Sequence, residues 1–564
     1  MKRIILILSL AIAATFWTSC EKDPDNSKGS GSDVEDGVSH EETSDYTWDI
    51  SSEIAITLNG TKITSNSPHV SISGSKATIT AAGNYKISGS LSNGQIVVDA
   101  DNEDLVRLIF NGVNITNSSG SALLIEKSQK TIINLADGTQ NTITDGSTYA
   151  NVADDPNAAI FSKSDLTVFG TGSLTVNGKY KDGITSKDGL LLKSGTITST
   201  AVDDGIRGKD YLLVKGGTIT VNSGGDGLKS DNDANSAVGY ILIEDGTIQV
   251  TSAGDGITAQ TTVTTTGGVL DLKTGGGSTS TVSGDASAKG IKGLVSVTLA
   301  PESCTINSAD DAIHSNSKVI INSGTFNLST SDDAIHADAE ITVNDGTIAV
   351  AKCYEGIESH VITINKGDIT IEASDDCFNA TAGTRTEQDD KSWTYIYGGR
   401  IAVNSLRGDP LDSNGSMAMT GGTVICHGPA SQPNVAIDYN GTFNITGGML
   451  VAAGPSSNMF QGFSATSSQA SVKVVFKSTL SASTIFHIQD ANGNEVVTFK
   501  PVRNYLTMVF SSPALVKGAT YTIYKSGSST GTQQDGLYNG GAYSPGTLVS
   551  TFTVSNAVTS LTNL

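Results

Sequence analysis

The chain has 564 residues, enough for one large core or for two or three domains. Aromatic residues make up only 6% of it and glycine occurs 62 times, a mix that disfavours helices and suits short strands joined by tight turns. Acidic residues outnumber basic ones 57 to 35, which gives a net charge of −22. A surface so acidic repels nucleic acid, so we expect no DNA or RNA partner; it fits a binder of divalent cations or simply an exported protein.

The first twenty residues have the pattern of an export signal. Lys2 and Arg3 precede an apolar run, residues 4–17, and two small polar residues lead to Cys20. The run is shorter than the ~20 residues needed to cross a bilayer, so it predicts a signal peptide and not a membrane span. Residues 1–20 resemble a bacterial lipoprotein signal, which implies that Cys20 is lipidated and becomes the mature N-terminus.

A segment that cannot form a core follows the signal. Glu21-Lys22-Asp23 is similar to the tag that sends Bacteroidetes lipoproteins to the outer cell surface. Residues 21–44 are rich in Ser, Gly, Asp and Glu and have scarcely an apolar residue, so they predict a disordered tether. We therefore expect an outer-membrane lipoprotein that is exposed at the cell surface and attached to the membrane by its lipid alone.

From residue 182 onward a four-residue motif recurs at intervals of about 22 residues. It consists of an acid, a small residue, an apolar residue and one more, as in Asp204-Gly205-Ile206-Arg207. A second motif, Gly-Thr and an apolar residue, accompanies it, as at Gly195 and Gly217. Apolar residues alternate after the second motif, and turn residues separate the apolar runs, so each repeat is expected to contain about three short strands.

These repeats predict an all-β protein, a right-handed parallel β-helix with rungs of about 22 residues, at residues 45–464. One repeat cannot bury its apolar face alone, and stacking on its neighbours at about 4.8 Å does so. A propeller needs repeats of about 40 residues, and a sandwich has no reason to repeat identical motifs. Residues 465–564 lack the repeat and carry longer strands, which predicts a small antiparallel β domain that caps the helix.

Stacking turns each position of the motif into a column. The apolar position must form the core, and the residue after it points to solvent. Acids stand beside that outward column, often in pairs, and like charges on rungs about 5 Å apart repel one another. Calcium offsets such repulsion because it takes about six to eight oxygen ligands. The expected Ca2+ ligands are Asp182, Asp203, Asp204, Asp226, Asp310, Asp311, Asp332, Asp333, Glu355, Glu358, Asp375 and Asp376.

Two features of these columns have alternative interpretations. Asp in a tight turn also accepts hydrogen bonds from its own backbone amides, and such a turn repeats with the rung. Basic residues of the outward column could pair with uronate carboxylates, with a solvated face as the alternative. His314 and His336 are expected to stack on adjacent rungs; their spacing also suits a transition metal, but imidazoles facing a sugar fit better. The expected carbohydrate contacts are Lys181, Arg207, Lys229, Lys292, His314 and His336.

Several runs match a known family over five or more consecutive positions. They include Tyr180-Lys181-Asp182-Gly183-Ile184 and Tyr354-Glu355-Gly356-Ile357-Glu358-Ser359. In these runs the chain resembles the clostridial carbohydrate-binding β-helix proteins, whose fold is related to family 9 pectate lyases, over most of residues 45–460. The resemblance implies a right-handed parallel β-helix, bound calcium, and binding of polygalacturonate or cellulose-type glycans without demonstrated cleavage. Lys289 stands where the pattern has an acid, which weakens the case for a metal on that rung.

The sequence thus predicts a surface protein that captures an acidic plant-type or microbial polysaccharide through calcium without cleaving it. It does not indicate an oligomeric state. A calcium-dependent lyase is one alternative, and it needs a Lys or Arg base with a lowered pKa. The available bases are Lys181, Arg207, Lys229 and Lys289. They form a distributed stripe, which suits binding along a glycan chain better than catalysis at one rung. A purely structural adhesin is the second alternative.

Overall fold

The computed structural model describes residues 39–149, 155–284, 286–383 and 388–564. The predicted signal peptide with Cys20 and most of the predicted tether lie outside these ranges. The described chain is all-β, as predicted, with two short 3-10 turns at Thr43–Tyr46 and Ile50–Ser52. Residues Thr43–Leu564 form one compact unit. Within the described ranges no helix has the length and apolar character of a membrane span.

Each turn of the chain contributes three strands, and each strand pairs in parallel with the strand one turn later. Ile184 lies opposite Ile206, which lies opposite Leu228 on the following turn. Repetition of this pairing stacks the strands into three columns, the topology of a parallel β-helix. The stacking in parallel that the repeats predicted is confirmed, and the hand of the coil stays a prediction.

The first column, the tetrad column, carries the four-residue motif. Its apolar residues, among them Ile206 and Leu228, are fully buried, whereas Arg207 and Lys229 alternate to the outside. The strands of the tetrad column are Lys76–Ile79, Gln95–Asp99, Leu123–Lys127, Ala158–Ser162, Asp182–Ser186, Ile206–Gly208, Leu228–Ser230, Ile257–Ala259, Ile291–Gly293, Ile313–Ser315, the first parts of Ile335–Val343 and Ile357–Ile364, Phe378–Ala380 and Asp412–Ser413.

The second or middle column begins beside the long strand Leu105–Thr116. Its strands are Lys130–Leu135, Asp165–Gly170, Gly189–Leu192, Tyr211–Val214, Tyr240–Ile243, Thr262–Thr265, Ser296–Leu299, Lys318–Ile321, the second parts of Ile335–Val343 and Ile357–Ile364, Trp393–Ile396, Ser416–Met419 and Phe443–Ile445. Before it, Glu53–Gly60 and Gly83–Leu91 form parallel rungs, and the short strands Lys62–Thr64 and Val70–Ser73 pair antiparallel with their neighbours.

The third or marker column follows the Gly-Thr motif, and its geometry explains the glycine. Gly217 has φ +92°, and a Cβ on it would lie 2.6 Å from the carbonyl oxygen of Gly195 on the previous rung. Only glycine tolerates both conditions. The strands of the marker column are Gln140–Thr144, Ser173–Gly178, Thr196–Ala201, Thr218–Ser223, Thr247–Ser252, Val269–Thr274, Ser303–Ser308, Thr325–Thr330, Thr347–Cys353, Asp368–Ala373, Arg400–Ser405, Thr423–His427 and Met449–Gly454.

The last hundred residues pair mostly antiparallel. Tyr505–Ser511 runs antiparallel to the final marker strand, Met449–Gly454, and to Ser471–Leu480, which also pairs in parallel with Val558–Leu561. A separate six-stranded sheet contains Thr532–Gln534, Leu537–Asn539, Glu495–Phe499, Phe486–Asp490, Thr520–Lys525 and Thr547–Thr553. Ser528–Ser529 and Tyr543–Ser544 form a two-stranded sheet. Tyr505–Ser511 thus covers the free edge of the last marker strand; the capping domain and its boundary at residue 465 stay predictions.

The interior of the coil is a continuous apolar core. The small second residue of the tetrad follows from that packing, since a Cβ on Gly205 would lie 2.2 Å from a methyl of Val221 on the marker strand. The four cysteines of the described ranges are buried free thiols: Cys304, Cys353, Cys377 and Cys426.

Candidate functional site

In seven tetrads one oxygen of the first acid accepts a backbone N–H of the next rung and not one of its own turn. Oδ1 of Asp204 accepts the backbone N–H of Asp226 at 2.9 Å, and Oδ1 of Asp226 accepts that of Asp255 at 2.8 Å. The same bond leads to the next rung from Asp182, Asp255, Asp311, Asp333 and Asp376. One oxygen of each carboxylate therefore satisfies a backbone donor between rungs, which is a structural role.

The second oxygen of five of these acids faces a Lys or His side chain, whereas that of Asp182 accepts from Asn157 and Thr185. Nζ of Lys229 lies 2.9 Å from Asp204 and 2.9 Å from Asp226. Burial lowers the pKa of Lys229, but the two carboxylates outweigh burial and hold this pKa above its usual value. Nζ of Lys292 lies 3.4 Å from Asp255. Two of the predicted carbohydrate contacts are thus engaged by the acid column itself.

Lys289 occupies a position where the repeat has an acid, and it neutralises the acids of the next rung. Its Nζ lies 2.7 Å from Asp310 and 2.7 Å from Asp311, and all three side chains are largely buried. Burial raises the pKa of Asp311, but hydrogen bonds and charges from His314 and Lys289 outweigh it and bring this pKa far below its usual range. The ammonium group stands where the sequence analysis expected calcium.

The two histidines pair with the acids of the next two rungs. Nδ1 of His314 lies 2.8 Å from Asp311, and Nδ1 of His336 lies 3.1 Å from Asp333. The two rings stack with centroids 5.1 Å apart. Burial lowers the pKa of His336, but the bond to Asp333 and nearby carboxylates outweigh burial and raise this pKa to about 9.

The pair of His336 with Asp333 should therefore stabilise the fold in a pH-dependent way. The unfolded pKa of His is about 6.5, so the contribution of a folded pKa near 9 is fully present below pH 6.5 and is lost as the pH rises through 9. We expect the loss of unfolding free energy in His336→Asn, measured with urea, to be larger at pH 6 than at pH 10. An equal loss at both pH values would contradict a charged His336.

Beyond Asp333 the acids have acidic neighbours. Burial and the hydrogen-bonded Glu358 raise the pKa of Glu355 to about 9. Burial raises the pKa of Asp376 to about 7 and that of Asp409 to about 8, and the charged groups that add to both shifts are all carboxylates. Lys and His side chains thus pair with acids of the column up to Asp333, whereas the charged groups that raise the pKa values of Asp376 and Asp409 are carboxylates.

Two clusters in the described ranges consist of carboxylates and lie away from Lys289 and the two histidines; Asp204 in one of them is paired with Lys229. The carboxylate oxygens of Asp409, Asp412 and Asp438 lie within 4.8 Å of one another, and so do those of Asp182, Asp203 and Asp204. Burial, with Asp204 next in effect, raises the pKa of Asp182 to about 6. A set of hard oxygen donors at this spacing fits a calcium ion and not a thiophilic metal.

Three further clusters contain the residues already paired with protein cations. They are Asp310, Asp311 and Asp332; Asp311, His314 and His336; and Asp333, His336 and Glu358. The sequence predicted the acids of these clusters as metal ligands and the two histidines as carbohydrate contacts, and it left the cluster at Asp409 out of the ligand set. Asp409 and Asp412 belong to the last tetrad, so the repeat contained the signal for them, whereas Asp438 lies in no motif.

The remaining predicted contacts have different surroundings. Arg207 makes two bonds to Asp231, with Nε 3.0 Å from Oδ1 and Nη2 2.7 Å from Oδ2. Nζ of Lys181 lies 5.9 Å from the centre of the Tyr180 ring. Tyr354 is 44% exposed, and its hydroxyl donates a hydrogen bond to Asp375. This bond raises the pKa of Tyr354 to about 12.

A cavity of about 310 Å³ opens between Lys229 and Lys292 on the outward column. Its lining is mostly polar: Asp226, Lys229, Ser230, Asp231, Asp255, Thr258, Ala259, Gln260, Ser287, Lys292 and Leu294. The structure thus brings two predicted carbohydrate contacts to one cavity, and Arg207 reaches its rim through Asp231. Lys181, His314 and His336 do not line it.

Sequence reasoning missed an aromatic stack on the middle column. Trp393 and Tyr395 alternate on the strand Trp393–Ile396, and Tyr397 follows its end; the ring centroids are 5.0 and 6.0 Å apart, and the planes are parallel within 2° and 3°. Tyr397 is 48% exposed. The alternation of three aromatic residues in a chain so poor in them is the signal that indicates this stack.

Comparison with known proteins gives the family. A family model described as carbohydrate-binding domain-containing protein matches residues 73–334 and 332–491. A protein of Acetivibrio thermocellus with that same description is 39% identical over 135 residues, which is 23% of this chain and 47% of the relative. The chain therefore matches about half the length of that relative.

Among solved structures, a gadolinium derivative of the polysaccharide lyase-like protein from C. thermocellum is similar, with 33% identity and a TM-score of 0.39. The match covers 40% of this chain and 92% of that one. The family model covers well over half of the sequence, and this chain therefore belongs to the family of carbohydrate-binding domain-containing proteins.

Proposed function

We propose that this protein is a right-handed parallel β-helix that captures acidic polysaccharide at the cell surface through calcium, without cleaving it. Family membership supports the carbohydrate partner. The calcium part of the proposal rests on the difference between the acids that pair with Lys or His and the acids around Asp409. Where Lys229, Lys289 or His336 stands among the acids, the protein itself supplies a counter-charge. Around Asp409, the charged groups that add to the raised pKa of its carboxyl are all acids. Buried carboxylates that lie next to other carboxylates favour the binding of an external cation.

The cluster of Asp409, Asp412 and Asp438 is the first place for that ion, and the cluster of Asp182, Asp203 and Asp204 the second. Calcium held there supplies ligand positions that the carboxylates of a uronate polymer can share with the protein. Asp310 and Asp311 hold Lys289 and need no ion. Lipidation at Cys20 and surface exposure are parts of the proposal that rest on the N-terminal sequence.

The pKa values of Lys229 and Lys289 favour binding over cleavage. A lyase needs a base whose pKa is lowered toward neutrality. The pKa values of Lys229 and Lys289 are instead raised, because carboxylates outweigh the effect of burial. Arg207 is held by Asp231. Lys229 and Lys289 therefore remain protonated and serve as counter-ions.

Retardation of the protein in gels that contain polygalacturonate tests the proposal. We expect calcium to slow migration and chelator to restore it. The double variant Asp409→Asn/Asp412→Asn should lose much of the calcium effect, while Asp245→Asn/Asp345→Asn, which removes two charges from exposed turns, should keep it. Unchanged mobility on all acidic glycans would favour the adhesin. Steady growth of absorbance from unsaturated uronides would instead establish a lyase.

The aromatic stack offers a second contact for a glycan, since sugar rings pack their C–H faces on aromatic faces. We expect Trp393→Ala to weaken glycan binding by about 1 kcal/mol, roughly fivefold. Affinity electrophoresis measures the change. Trp48→Phe is the control, because Trp48 packs against Phe169 elsewhere. Equal binding by wild type and Trp393→Ala would show that the glycan does not contact the aromatic stack.

A further inference from the structure

The cavity between Lys229 and Lys292 differs from the calcium clusters in both shape and charge. We propose that it is a subsite for an uncharged sugar residue, recognised through its hydroxyl groups. This inference rests on the proposed function, because it assumes a bound glycan, and it adds the class of sugar that this part of the surface accepts.

The shape follows from one short side chain. Lys229, Thr258 and Lys292 occupy the same outward position on three successive rungs. Thr258 is far shorter than the lysines on either side, so the column has a gap at this rung. Residues on both flanks close the gap to a cavity of about 310 Å³, which is near the lower end of the range for small-molecule sites.

The charges around the gap are already paired. Lys229 contacts Asp204 and Asp226, and the Asp231 carboxylate is held by Arg207. Nζ of Lys292 lies near Asp255 and 3.3 Å from the hydroxyl of Ser287. A uronate carboxylate entering this cavity meets Asp226, Asp231 and Asp255 without an uncommitted positive charge, so Coulomb repulsion disfavours it.

Hydroxyl groups suit the same lining, because each one donates and accepts. An ammonium group has three donors, and Lys229 uses two of them on Asp204 and Asp226, which leaves one for a sugar oxygen. The carboxylates can accept from neighbouring hydroxyls in charge-assisted bonds. Thr258 and Gln260 add neutral polar groups, and Leu294 gives the cavity an apolar side. Adjacent hydroxyls on one pyranose ring match this alternation of donors and acceptors.

Titration calorimetry in chelator tests the subsite on the full protein. The probes are cellobiose, lactose and mannobiose as neutral sugars, and digalacturonate as the charged one. We expect at least one neutral disaccharide to bind with a Kd on the order of 1 mM, and digalacturonate to bind at least tenfold more weakly. Thr258→Tyr fills the gap and should weaken neutral-sugar binding at least tenfold.

Thr298→Tyr is the matched control, because Thr298 faces outward on the middle column. It should bind the neutral sugar like wild type. Thermal melting reports whether each variant folds; if Thr258→Tyr does not, Gln260→Ala replaces it and should weaken binding at least threefold. The subsite is overturned if all three neutral sugars fail to bind, if digalacturonate binds better, or if neutral-sugar binding survives the changes at both Thr258 and Gln260.

Calcium-dependent retardation on polygalacturonate separates this inference from the proposed function. We expect Thr258→Tyr to keep the calcium effect, since the substitution leaves Asp182 and Asp409 untouched. Loss of the calcium effect in wild type, with neutral-sugar binding intact, overturns calcium capture and supports the subsite. The reverse result overturns the subsite alone.

Discussion

We expect the Lys289→Met variant to lose about 3–5 kcal/mol of unfolding free energy in chelator at neutral pH. The ammonium group lies 2.7 Å from both Asp310 and Asp311, in a region where all three side chains are at most 14% exposed. Removing one partner of a buried ion pair leaves the other charges desolvated and uncompensated. Urea unfolding followed by circular dichroism measures the loss.

Calcium should return part of that loss, because Asp310, Asp311 and Asp332 have oxygens within 4.8 Å of one another once the lysine is gone. Lys318→Met is the control: its ion pair with Glu340 is exposed, so it should cost no more than about 1 kcal/mol. A loss below 1 kcal/mol in Lys289→Met would show that the acids of this rung need no counter-ion.

Calcium should also stabilise the wild-type protein, and the effect should increase with pH. At a hundredfold excess over its dissociation constant, one bound ion adds about 2.7 kcal/mol. The pKa of Asp376 is about 7 and that of Asp409 about 8 in the folded protein, against about 4 when unfolded. Because these folded-state pKa values are raised, the contribution of the two carboxyl groups to stability in chelator is most favourable below pH 4 and declines as the pH rises to 8.

Thermal melting with calcium and with chelator at pH 5, 7 and 9 measures this difference. We expect a small calcium effect at pH 5, where protons occupy the carboxylates, and the largest at pH 9. In Asp409→Asn/Asp412→Asn the pH-dependent part should shrink, since Asn carries no titrating group. A calcium effect of the same size in this variant would place the ion elsewhere, with Asp182 and Asp203 as the next ligands to replace.

Much of the fold could be predicted because the repeats reflect what backbone conformation and packing require at each position of a rung. Gly217 marks a turn with positive φ and a close approach between rungs, and Gly205 marks contact with the marker strand. Ile206 and Leu228 alternate with outward residues, which tells core from surface without any long-range information. Identical local requirements at a regular interval are sufficient to predict strands that stack in parallel.

The chemistry of the acid column was less accessible from the sequence. Repetition predicted that carboxylates stack, and it did not reveal that Oδ1 of Asp204 accepts the amide of the following rung. Lys289 resembled a lost ligand in the sequence, whereas the structure shows a counter-ion between Asp310 and Asp311. Such pairing depends on side-chain reach between rungs, which residue spacing alone does not contain.

The sequence by itself determined the all-β class, the coiling of the chain and the faces that are buried, because each depends on alternation and glycine within one repeat. Only the tertiary structure decided which acids are neutralised. Asp231 and Asp438 lie outside the motifs, yet the coil brings Asp231 to Arg207 and Asp438 to Asp409. Coulomb energy depends on distance in space, and the coil makes neighbours of residues more than twenty positions apart.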